Sequence, residues 1–347
     1  MSFEPDYQHL MDAAWNRPAK RLPLYEHLVN AGTMEKVLGK EFPAGDLSDA
    51  DVARNMQLHC AFYRQMGYDT VSFECCVGAI MPGSGALGGH KPGAVHTMED
   101  MRKYPWDEIP DLYFARYGRW FDAFRAALPP GMKGVGGVGN GVFECVQDIV
   151  GYEQLCLIKV DDPDLYHALF AKVGEMLHTI WSRFLPQFGD AFCVLRMGDD
   201  LGFKSETLLS HDDIRTHILP QYRRVVDAVH QHGKPFLLHS CGNLFGVMDD
   251  IISIAGIDAK HSNEDIIAPF PVWVERYGDR IGNFGGVDTD NVCRMKLPDL
   301  RAHVHDILNK VSGHGGIAFS TGNSIPDYVP LDGYLTMVDA VRSWRGE

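Results

Sequence analysis

One apolar segment that ends in two potential metal ligands indicates the fold of this chain. The segment is Phe236-Leu237-Leu238-His239-Ser240-Cys241-Gly242-Asn243. A short apolar run with turn residues on both sides is typical of a buried strand in a parallel sheet, whose carboxyl end carries the chemistry. Residues two apart on a strand point to the same side, so His239 and Cys241 are placed to bind one zinc ion. In the alternative interpretation, Cys241 packs as a small apolar residue beside a hydrogen-bonded His239.

From about residue 65 onward the chain alternates similar apolar segments with amphipathic helical stretches. This alternation, over a length of 347 residues, predicts a (β/α)8 TIM barrel. We expect residues 1–64 to form an N-terminal helical extension packed on a barrel of residues 65–347, within a single domain. An eighth strand is expected in addition to the seven candidate strands, which are Thr70–Val77, Gly134–Val138, Phe192–Met197, Pro235–His239, Gly256–His261, Ile281–Gly286 and Gly316–Thr321.

Composition narrows the class of protein. The chain is 45% hydrophobic and 22% charged, as is typical of a globular protein. Its net charge of −14 repels nucleic acid and anionic membranes, so we expect neither as a partner. The chain lacks a secretory signal pattern and an apolar segment near the ~20 residues of a membrane helix, so we expect a cytoplasmic location. The eight cysteines lack framework spacing, so we expect free thiols.

Polar residues follow most of the predicted strands. Because the carboxyl ends of parallel strands meet on one face, these residues are predicted to form a single site. The candidates, in chain order, are Glu74, Cys75, Cys76, Asn140, Glu144, Arg196, Asp199, Asp200, His239, Cys241, His261, Glu264, Asp288, Asn323 and Tyr328.

The acidic candidates have two interpretations each. Asp199 and Asp200 are predicted to act in catalysis, by proton transfer or by binding a substrate or metal. In the alternative, one of them caps a helix and the other pairs with Arg196. Glu74 is a candidate metal ligand or general acid, or else the partner in a salt bridge inside the barrel mouth.

Other candidates are predicted to contact the substrate or to orient a ligand. Asp288 either orients His239 through its second ring nitrogen or caps the next helix. Three aromatic residues are candidate walls of a substrate pocket, or else core residues: Phe143, Phe203 and Tyr328. The remaining predicted substrate-binding residues are Asn140, Arg196, His261 and Asn323.

Seven short motifs occur in an order that points to one family. They are Asn16-Arg17-Pro18, Arg21-Leu22-Pro23, Met197-Gly198-Asp199-Asp200-Leu201-Gly202, Leu238-His239-Ser240-Cys241-Gly242-Asn243, Gly256-Ile257-Asp258, Gly285-Gly286-Val287-Asp288 and Ser320-Thr321-Gly322-Asn323-Ser324-Ile325-Pro326. In these motifs the chain resembles the uroporphyrinogen decarboxylase superfamily. Within that superfamily it resembles the cobalamin-dependent (corrinoid) methyltransferase branch, including its O-demethylase type. The resemblance implies a (β/α)8 barrel with its site at the carboxyl end of the strands.

The resemblance also implies a zinc site. In the methyltransferase branch the histidine and cysteine matched by His239 and Cys241 bind zinc together with a later cysteine. Asn323 stands where that later cysteine is expected. An amide oxygen is a poor zinc ligand, so either another residue completes the site or the metal is lost. The other candidate ligands are Glu74, Cys75 and Cys76.

The resemblance therefore implies a zinc-dependent methyltransferase. It would move a methyl group between a small substrate and a corrinoid (cobalamin) carried by a separate protein. A methoxylated aromatic substrate is favoured over a thiol, because the third cysteine is missing. The protein is also a candidate homodimer. The alternatives are a metal-free decarboxylase or lyase of the same fold, and a non-catalytic binding barrel.

Overall fold

The computed structural model describes residues 3–89 and 91–347. Its centre is a seven-stranded sheet in which neighbouring strands are parallel and the spatial order follows the chain. All seven predicted strands are confirmed, and their ends differ from the predicted ends by at most three residues. The strands are β1 (Thr70–Cys76), β2 (Lys133–Gly139), β3 (Phe192–Gly198), β4 (Phe236–His239), β5 (Ala259–His261), β6 (Gly282–Val287) and β7 (Ile317–Thr321).

Helices precede β1, connect the strands and follow β7. Asp162 caps the longest of them, where its side chain accepts a hydrogen bond from the Leu165 N–H at 3.1 Å. The α-helices are Gln8–Ala14, Ala31–Leu38, Asp49–Met66, Met98–Lys103, Ile109–Ala127, Val142–Val150, Tyr152–Asp161, Pro163–Phe188, His211–Asp213, Leu219–Gln231, Met248–Asp250, Phe270–Tyr277, Thr289–Arg294, Leu297–Val311 and Leu331–Trp344. Short 3-10 helices span Gly78–Ile80 and Gly189–Ala191, and π-helical turns span Ile214–Ile218 and Ile251–Ala255.

The sheet curls so that its two edge strands approach the same N-terminal segment. Leu24 forms an isolated parallel bridge with Phe319 of β7. The next residues contact both edges, because the Glu26 carbonyl accepts a hydrogen bond from the Ser72 hydroxyl of β1. The Glu26 carboxylate accepts hydrogen bonds from the Thr321 N–H and hydroxyl of β7, at 2.9 and 2.7 Å. Among the described residues the sheet holds seven strands, so the observed fold is α/β with a curled parallel sheet.

The strands direct alternate side chains into the interior of the curl. Val194, Leu237 and Ala259 belong to an inner apolar cluster that also contains Leu10 from the first helix. Side chains two residues further along each strand point to the same side. This period places Arg196, His239 and His261 above the apolar cluster, toward the carboxyl end of the sheet. Apolar residues thus fill one end of the interior and polar residues the other.

Among the residues that the structure describes, none of the helices combines the length and the apolar composition needed to cross a membrane.

Glu26 makes the stability of the fold dependent on pH. Burial raises the pKa of the Glu26 carboxyl to about 8, although the two hydrogen bonds from Thr321 oppose this shift. In the unfolded chain a glutamate has a pKa of about 4.3. Between that pH and about 8, the folded protein therefore holds a proton on Glu26 that the unfolded chain has lost. The free energy of unfolding is therefore expected to fall as the pH rises through this interval, by up to about 1.4 kcal/mol per pH unit from this group.

The variant Glu26→Gln removes this proton uptake. We expect the free energy of unfolding of the wild type to fall as the pH rises, and that of the variant to fall less, so the variant gains stability relative to the wild type. Urea denaturation across the interval measures that difference, and Glu153→Gln, which alters an exposed carboxylate, is the control. An equal pH slope in Glu26→Gln and the wild type contradicts the assignment.

Candidate active site

His239 and Cys241 lie together at the carboxyl end of β4. The His239 Nε2 atom is 3.5 Å from the Cys241 Sγ atom. Cys241 lies just beyond the strand, and Gly242 turns the chain there with a φ of +89°. A side chain at Gly242 would meet the backbone of Gly202 at 2.1 Å, so glycine is required for the loops after β3 and β4 to pack together.

The contact between these two loops brings Asp200 to the same place. The Asp200 Oδ1 atom accepts a hydrogen bond from the Cys241 N–H at 2.8 Å and lies 3.8 Å from His239 Nε2. Asp200, His239 and Cys241 each offer one ligand atom, and all three atoms lie within 4.8 Å of one another. Burial and the nearby Asp200 raise the pKa of the Cys241 thiol to about 12. A bound divalent cation would reverse this shift, because a coordinating thiol is deprotonated.

A chain of hydrogen bonds determines which nitrogen of His239 is free. The His261 Nε2 atom lies 3.2 Å from the Thr321 carbonyl oxygen, which can only accept, so Nε2 carries the proton. Burial lowers the pKa of His261 to about 3, so the ring is neutral and its Nδ1 accepts. The His239 Nδ1 atom, 2.7 Å away, must then be the donor. Burial also lowers the pKa of His239 well below its usual value, so the His239 Nε2 atom keeps a free lone pair directed at Cys241.

His27 completes a cluster of three buried histidines. Its ring stacks on that of His239 with a centroid distance of 3.7 Å and an interplanar angle of 8°. His27, His239 and His261 could also be read as a metal site. However, two nitrogen ligands of a tetrahedral zinc ion lie about 3.3 Å apart. The 2.7 Å between His239 and His261 fits a hydrogen bond better than shared coordination.

The spacing of His239 and Cys241 suits zinc. Zinc–nitrogen and zinc–sulfur bonds of about 2.0 and 2.3 Å at a tetrahedral angle place the two ligand atoms about 3.5 Å apart. The observed separation is 3.5 Å. A neutral imidazole, a thiol and a carboxylate that face each other also form a donor set that zinc accepts. The residues therefore fit the metal.

Glu74 lies in a buried ion pair with Arg196. The Glu74 Oε2 atom accepts hydrogen bonds from Arg196 Nε at 3.1 Å and Nη2 at 2.7 Å. The Arg196 Nη1 atom donates to the Tyr25 hydroxyl at 2.9 Å and to the His27 carbonyl at 3.0 Å. The Arg196 side chain is fully buried, and the Glu74 side chain is 7% exposed. Glu74 is thus placed as in the salt-bridge alternative, outside the group formed by Asp200, His239 and Cys241.

Cys75 and Cys76 share β1 with Glu74. Burial raises the pKa of the Cys75 thiol well above its usual value and that of the Cys76 thiol to about 12. Neither thiol belongs to the group around Cys241 among the described residues.

Asp199 caps the helix that follows β2. Its buried carboxylate accepts hydrogen bonds from the N–H groups of Phe143 and Glu144, at 2.9 and 2.8 Å, and from the Tyr222 hydroxyl at 2.6 Å. A side chain at Gly141 would lie 2.2 Å from the Asp199 Cβ atom, so glycine allows this approach. Burial raises the pKa of Asp199 to about 6.

Asn140 and Glu144 lie beside this cap. The Asn140 side chain donates to the Glu144 carboxylate at 2.8 Å and accepts from the Gly78 N–H at 3.1 Å. Burial, together with Asp199 and Asp200, raises the pKa of Glu144 well above its usual value.

A cleft of about 300 Å³ opens beside Cys241. Asn323 lines this cleft and also contacts the group formed by Asp200, His239 and Cys241, because its Nδ2 atom donates to the Cys241 Sγ atom at 3.3 Å. Asp288 and Tyr328 also line the cleft. The Asp288 carboxylate accepts backbone hydrogen bonds from Asp265 and Asp290, both at 2.7 Å, so it caps a helix while His239 is oriented by a histidine instead.

The three predicted aromatic residues differ in exposure. Phe143 is fully buried in the core. Tyr328 is 70% exposed and lines the cleft, and Phe203 is 60% exposed and precedes the cleft residue Lys204 in the chain.

Several residues of the site were not predicted from the sequence. Tyr25, Glu26 and His27 come from a segment without strand or helix periodicity, so their order in the sequence does not indicate that they meet β1, β3 and β7. Lys260 is also buried, and its ammonium group lies 3.8 Å from the centroid of the Trp273 ring. Burial lowers the pKa of Lys260 to about 7. Its position next to His261 in a predicted strand is the sequence feature that could have indicated a buried lysine.

Comparison with known proteins identifies the family. The family model for uroporphyrinogen decarboxylase (URO-D) matches residues 56–344. The match covers most of the chain, which therefore belongs to the uroporphyrinogen decarboxylase family. The chain has no significant match among curated protein sequences.

Solved structures agree with this fold. A methyltransferase from Methanosarcina mazei has a TM-score of 0.72 and 17% sequence identity, over 98% of this chain and 99% of that chain. A putative vitamin-B12 independent methionine synthase from Listeria monocytogenes has a TM-score of 0.49 and 13% identity, over 94% and 100%. At such identities the first similarity establishes the fold alone, and the second is too distant to carry an argument.

Breaking the buried ion pair is expected to destabilise the protein. Glu74→Gln leaves the Arg196 guanidinium buried without its counter-charge, which costs about 3–5 kcal/mol. The double variant Glu74→Leu with Arg196→Met removes both charges and should lose much less than the sum of the single losses. Urea denaturation gives the free energies.

Glu99→Gln, which breaks an exposed pair with Lys103, is the control and should cost less than about 1 kcal/mol. A Glu74→Gln loss as small as that of the control would rule out the ion pair as a structural element.

Removing the hydrogen bond to His239 is expected to weaken zinc binding. His261→Phe leaves the His239 Nδ1–H without an acceptor, and loss of such an orienting partner lowers metal affinity about 10–100-fold. His261→Gln retains an acceptor for His239 and a donor for Thr321, so it should bind more tightly than His261→Phe. Competition with a zinc chelator measures both affinities, and thermal unfolding checks the fold. Equal affinities in His261→Phe and the wild type refute the orienting role.

Proposed function

We propose that this protein is a zinc-dependent methyltransferase that moves a methyl group between a small substrate and a corrinoid carried by a separate protein. The observation that carries the proposal is the 3.5 Å separation of His239 Nε2 and Cys241 Sγ, with the nitrogen lone pair directed at the sulfur. The fold shared with a methyltransferase from Methanosarcina mazei supports it. The cleft beside Cys241 supplies a binding space for a substrate.

In this proposal each residue has a separate task. His239 and Cys241 hold the zinc ion. The ion, when bound, supplies a Lewis acid that lowers the basicity of a substrate oxygen or sulfur. His261 and the Thr321 carbonyl keep the His239 Nε2 atom unprotonated. Asn323 lies between Cys241 and the cleft and is placed to contact the substrate atom nearest the zinc.

A methoxylated aromatic is the favoured substrate, and a thiol is the second option. The cleft volume of about 300 Å³ suits a single substituted ring. Tyr328 and Ile266 expose apolar surface at the cleft wall, and Phe203, next in sequence to the cleft residue Lys204, is also exposed. These side chains are available to cover an aromatic ring or the face of a corrinoid.

We also propose that the segment around Leu24 takes the place of the eighth strand of a TIM barrel. Its bridge to β7 and the hydrogen bond between Glu26 and Ser72 of β1 support this view. Residues 1–64, predicted as an extension, then contribute His27 to the interior, so the chain acts as one domain with residues 65–347. A cytoplasmic location and a homodimer remain predictions.

The alternative is a metal-free decarboxylase or lyase, the activity named in the family description. A substrate with several carboxylates requires several cationic side chains. Lys204 is the cationic residue among those that line the cleft in the described structure, and Glu264, Asp288 and Asp290 make the cleft acidic. The cleft chemistry therefore favours the methyltransferase.

Metal content tests the proposed function. The wild type, purified without chelators, is expected to hold close to one zinc ion per chain, and Cys241→Ala should lose both the zinc and the methyl transfer from 2-methoxyphenol to a corrinoid protein. Cys156→Ala, which alters an exposed cysteine, is the matched control and should keep both. Inductively coupled plasma mass spectrometry counts the zinc. A wild type that remains free of zinc after reconstitution, or a fully active Cys241→Ala, overturns the proposal and favours the metal-free decarboxylase.

A further inference from the structure

The zinc site needs at least one protein ligand besides His239 and Cys241. Structural and catalytic zinc sites use three or four protein ligands. Two observations point to Asp200 as the additional ligand: its distance from His239 and its free oxygen. A third observation gives Asn323 a different role.

The distance suits Asp200. Its Oδ1 atom lies 3.8 Å from His239 Nε2. Nitrogen and oxygen ligands of one tetrahedral zinc ion are expected to lie about 3.3 Å apart, which is close to this distance. The hydrogen bond from the Cys241 N–H to the same atom holds the carboxylate in this position. The side chain is 44% exposed, so solvent reaches this side of the site.

The second oxygen of Asp200 is available. In the described parts of the chain, the hydrogen bonds to the Asp200 carboxylate involve Oδ1 and none involves Oδ2. In contrast, both oxygens of the Asp199 carboxylate accept hydrogen bonds at the helix cap. Glu74 pairs with Arg196 and lies outside the group formed by Asp200, His239 and Cys241. Asp200 is thus the acidic residue beside His239 with an oxygen free for a metal.

The sulfur of Cys241 is surrounded by hydrogen-bond donors. The Asn323 Nδ2 atom donates to it at 3.3 Å, and the Ser262 hydroxyl donates at 3.7 Å. A thiolate that accepts such hydrogen bonds gives less electron density to its metal. The amide of Asn323 therefore acts on the sulfur instead of replacing a missing ligand.

We infer that Asp200 is the third protein ligand of the zinc ion, and that the resulting set of one nitrogen, one sulfur and one oxygen favours an oxygen-bound methyl group over a sulfur-bound one. This inference rests on the proposed zinc site of His239 and Cys241. A carboxylate is a harder ligand than a thiolate, and harder surroundings leave the metal with a stronger preference for oxygen at its open position.

Cobalt(II) in place of zinc reports each ligand directly. The wild type is titrated with CoCl2, and the thiolate-to-cobalt charge-transfer absorption and the visible d–d bands are recorded. Asp200→Asn keeps the hydrogen bond from Cys241 N–H, so the fold should be retained. We expect it to keep the charge-transfer band of Cys241, to shift the d–d bands and to bind cobalt at least about 10-fold more weakly. Asp200→Cys should add a second cobalt–sulfur bond and increase the charge-transfer absorption about twofold, in proportion to the number of thiolates.

The controls use an exposed aspartate. Asp212 is 90% exposed and pairs with Arg215, so Asp212→Asn and Asp212→Cys should leave cobalt affinity and absorption unchanged. Circular dichroism and thermal unfolding check that all variants are folded.

The substrate preference is measured on the same cobalt proteins. Phenol and thiophenol serve as probes of the open position, and their dissociation constants follow from the d–d bands. The ratio of these constants should shift toward thiophenol in Asp200→Cys relative to the wild type. An unchanged ratio contradicts the proposed preference for oxygen.

The outcomes separate this inference from the proposed function. A wild type that binds neither zinc nor cobalt overturns both. A wild type that binds cobalt, together with an Asp200→Asn variant of equal affinity and absorption, overturns the role of Asp200 alone. If Glu264→Gln loses the metal while Asp200→Asn keeps it, the third ligand is the cleft carboxylate Glu264, and the inference is wrong.

Discussion

The site depends on a charged side chain placed inside the curled sheet. Arg196 is fully buried, and it donates to Glu74 of β1, to the Tyr25 hydroxyl and to the His27 carbonyl. A buried guanidinium is tolerated when its donors are satisfied, so these partners must stay in place. Arg196 thereby ties the third strand to the first strand and to the N-terminal segment. The position of His27 beside His239 follows from this connection.

The histidine cluster orients the side chains that we propose as metal ligands. Burial keeps the imidazoles neutral, and a carbonyl that can only accept sets the direction of every hydrogen bond from Thr321 through His261 to His239. The free lone pair of His239 is therefore a consequence of packing, and it appears at the point where a thiol and a carboxylate already meet. Separate polar contacts thus bring three potential metal-ligand atoms, from Asp200, His239 and Cys241, within 4.8 Å of one another.

The sequence predicted some parts of the site better than others. All seven strands and the meeting of His239 with Cys241 were predictable, because strand periodicity is a local property and two residues on one strand end share a side. The sequence also predicted an eighth strand, but among the described residues the sheet has seven strands, and Leu24 forms only an isolated bridge with Phe319 of β7. For Asp199, Glu74 and Asp288 the sequence left two roles open, and the structure places each of them in the capping or ion-pairing role.

The sequence by itself determined the β-α order, the family and the pair of residues at the end of β4, since these depend on composition and spacing along the chain. Only the tertiary structure decided which carboxylates are free. Asp199 and Asp200 are adjacent, so their local sequence does not show that the first caps a helix and the second accepts a hydrogen bond from Cys241. They differ because Gly141 admits the first to a helix end, while the contact between Gly202 and Gly242 carries the second toward Cys241. These close contacts join segments that are far apart in the chain. Their geometry depends on how the segments pack, and the residues next to each glycine in the sequence do not reveal it.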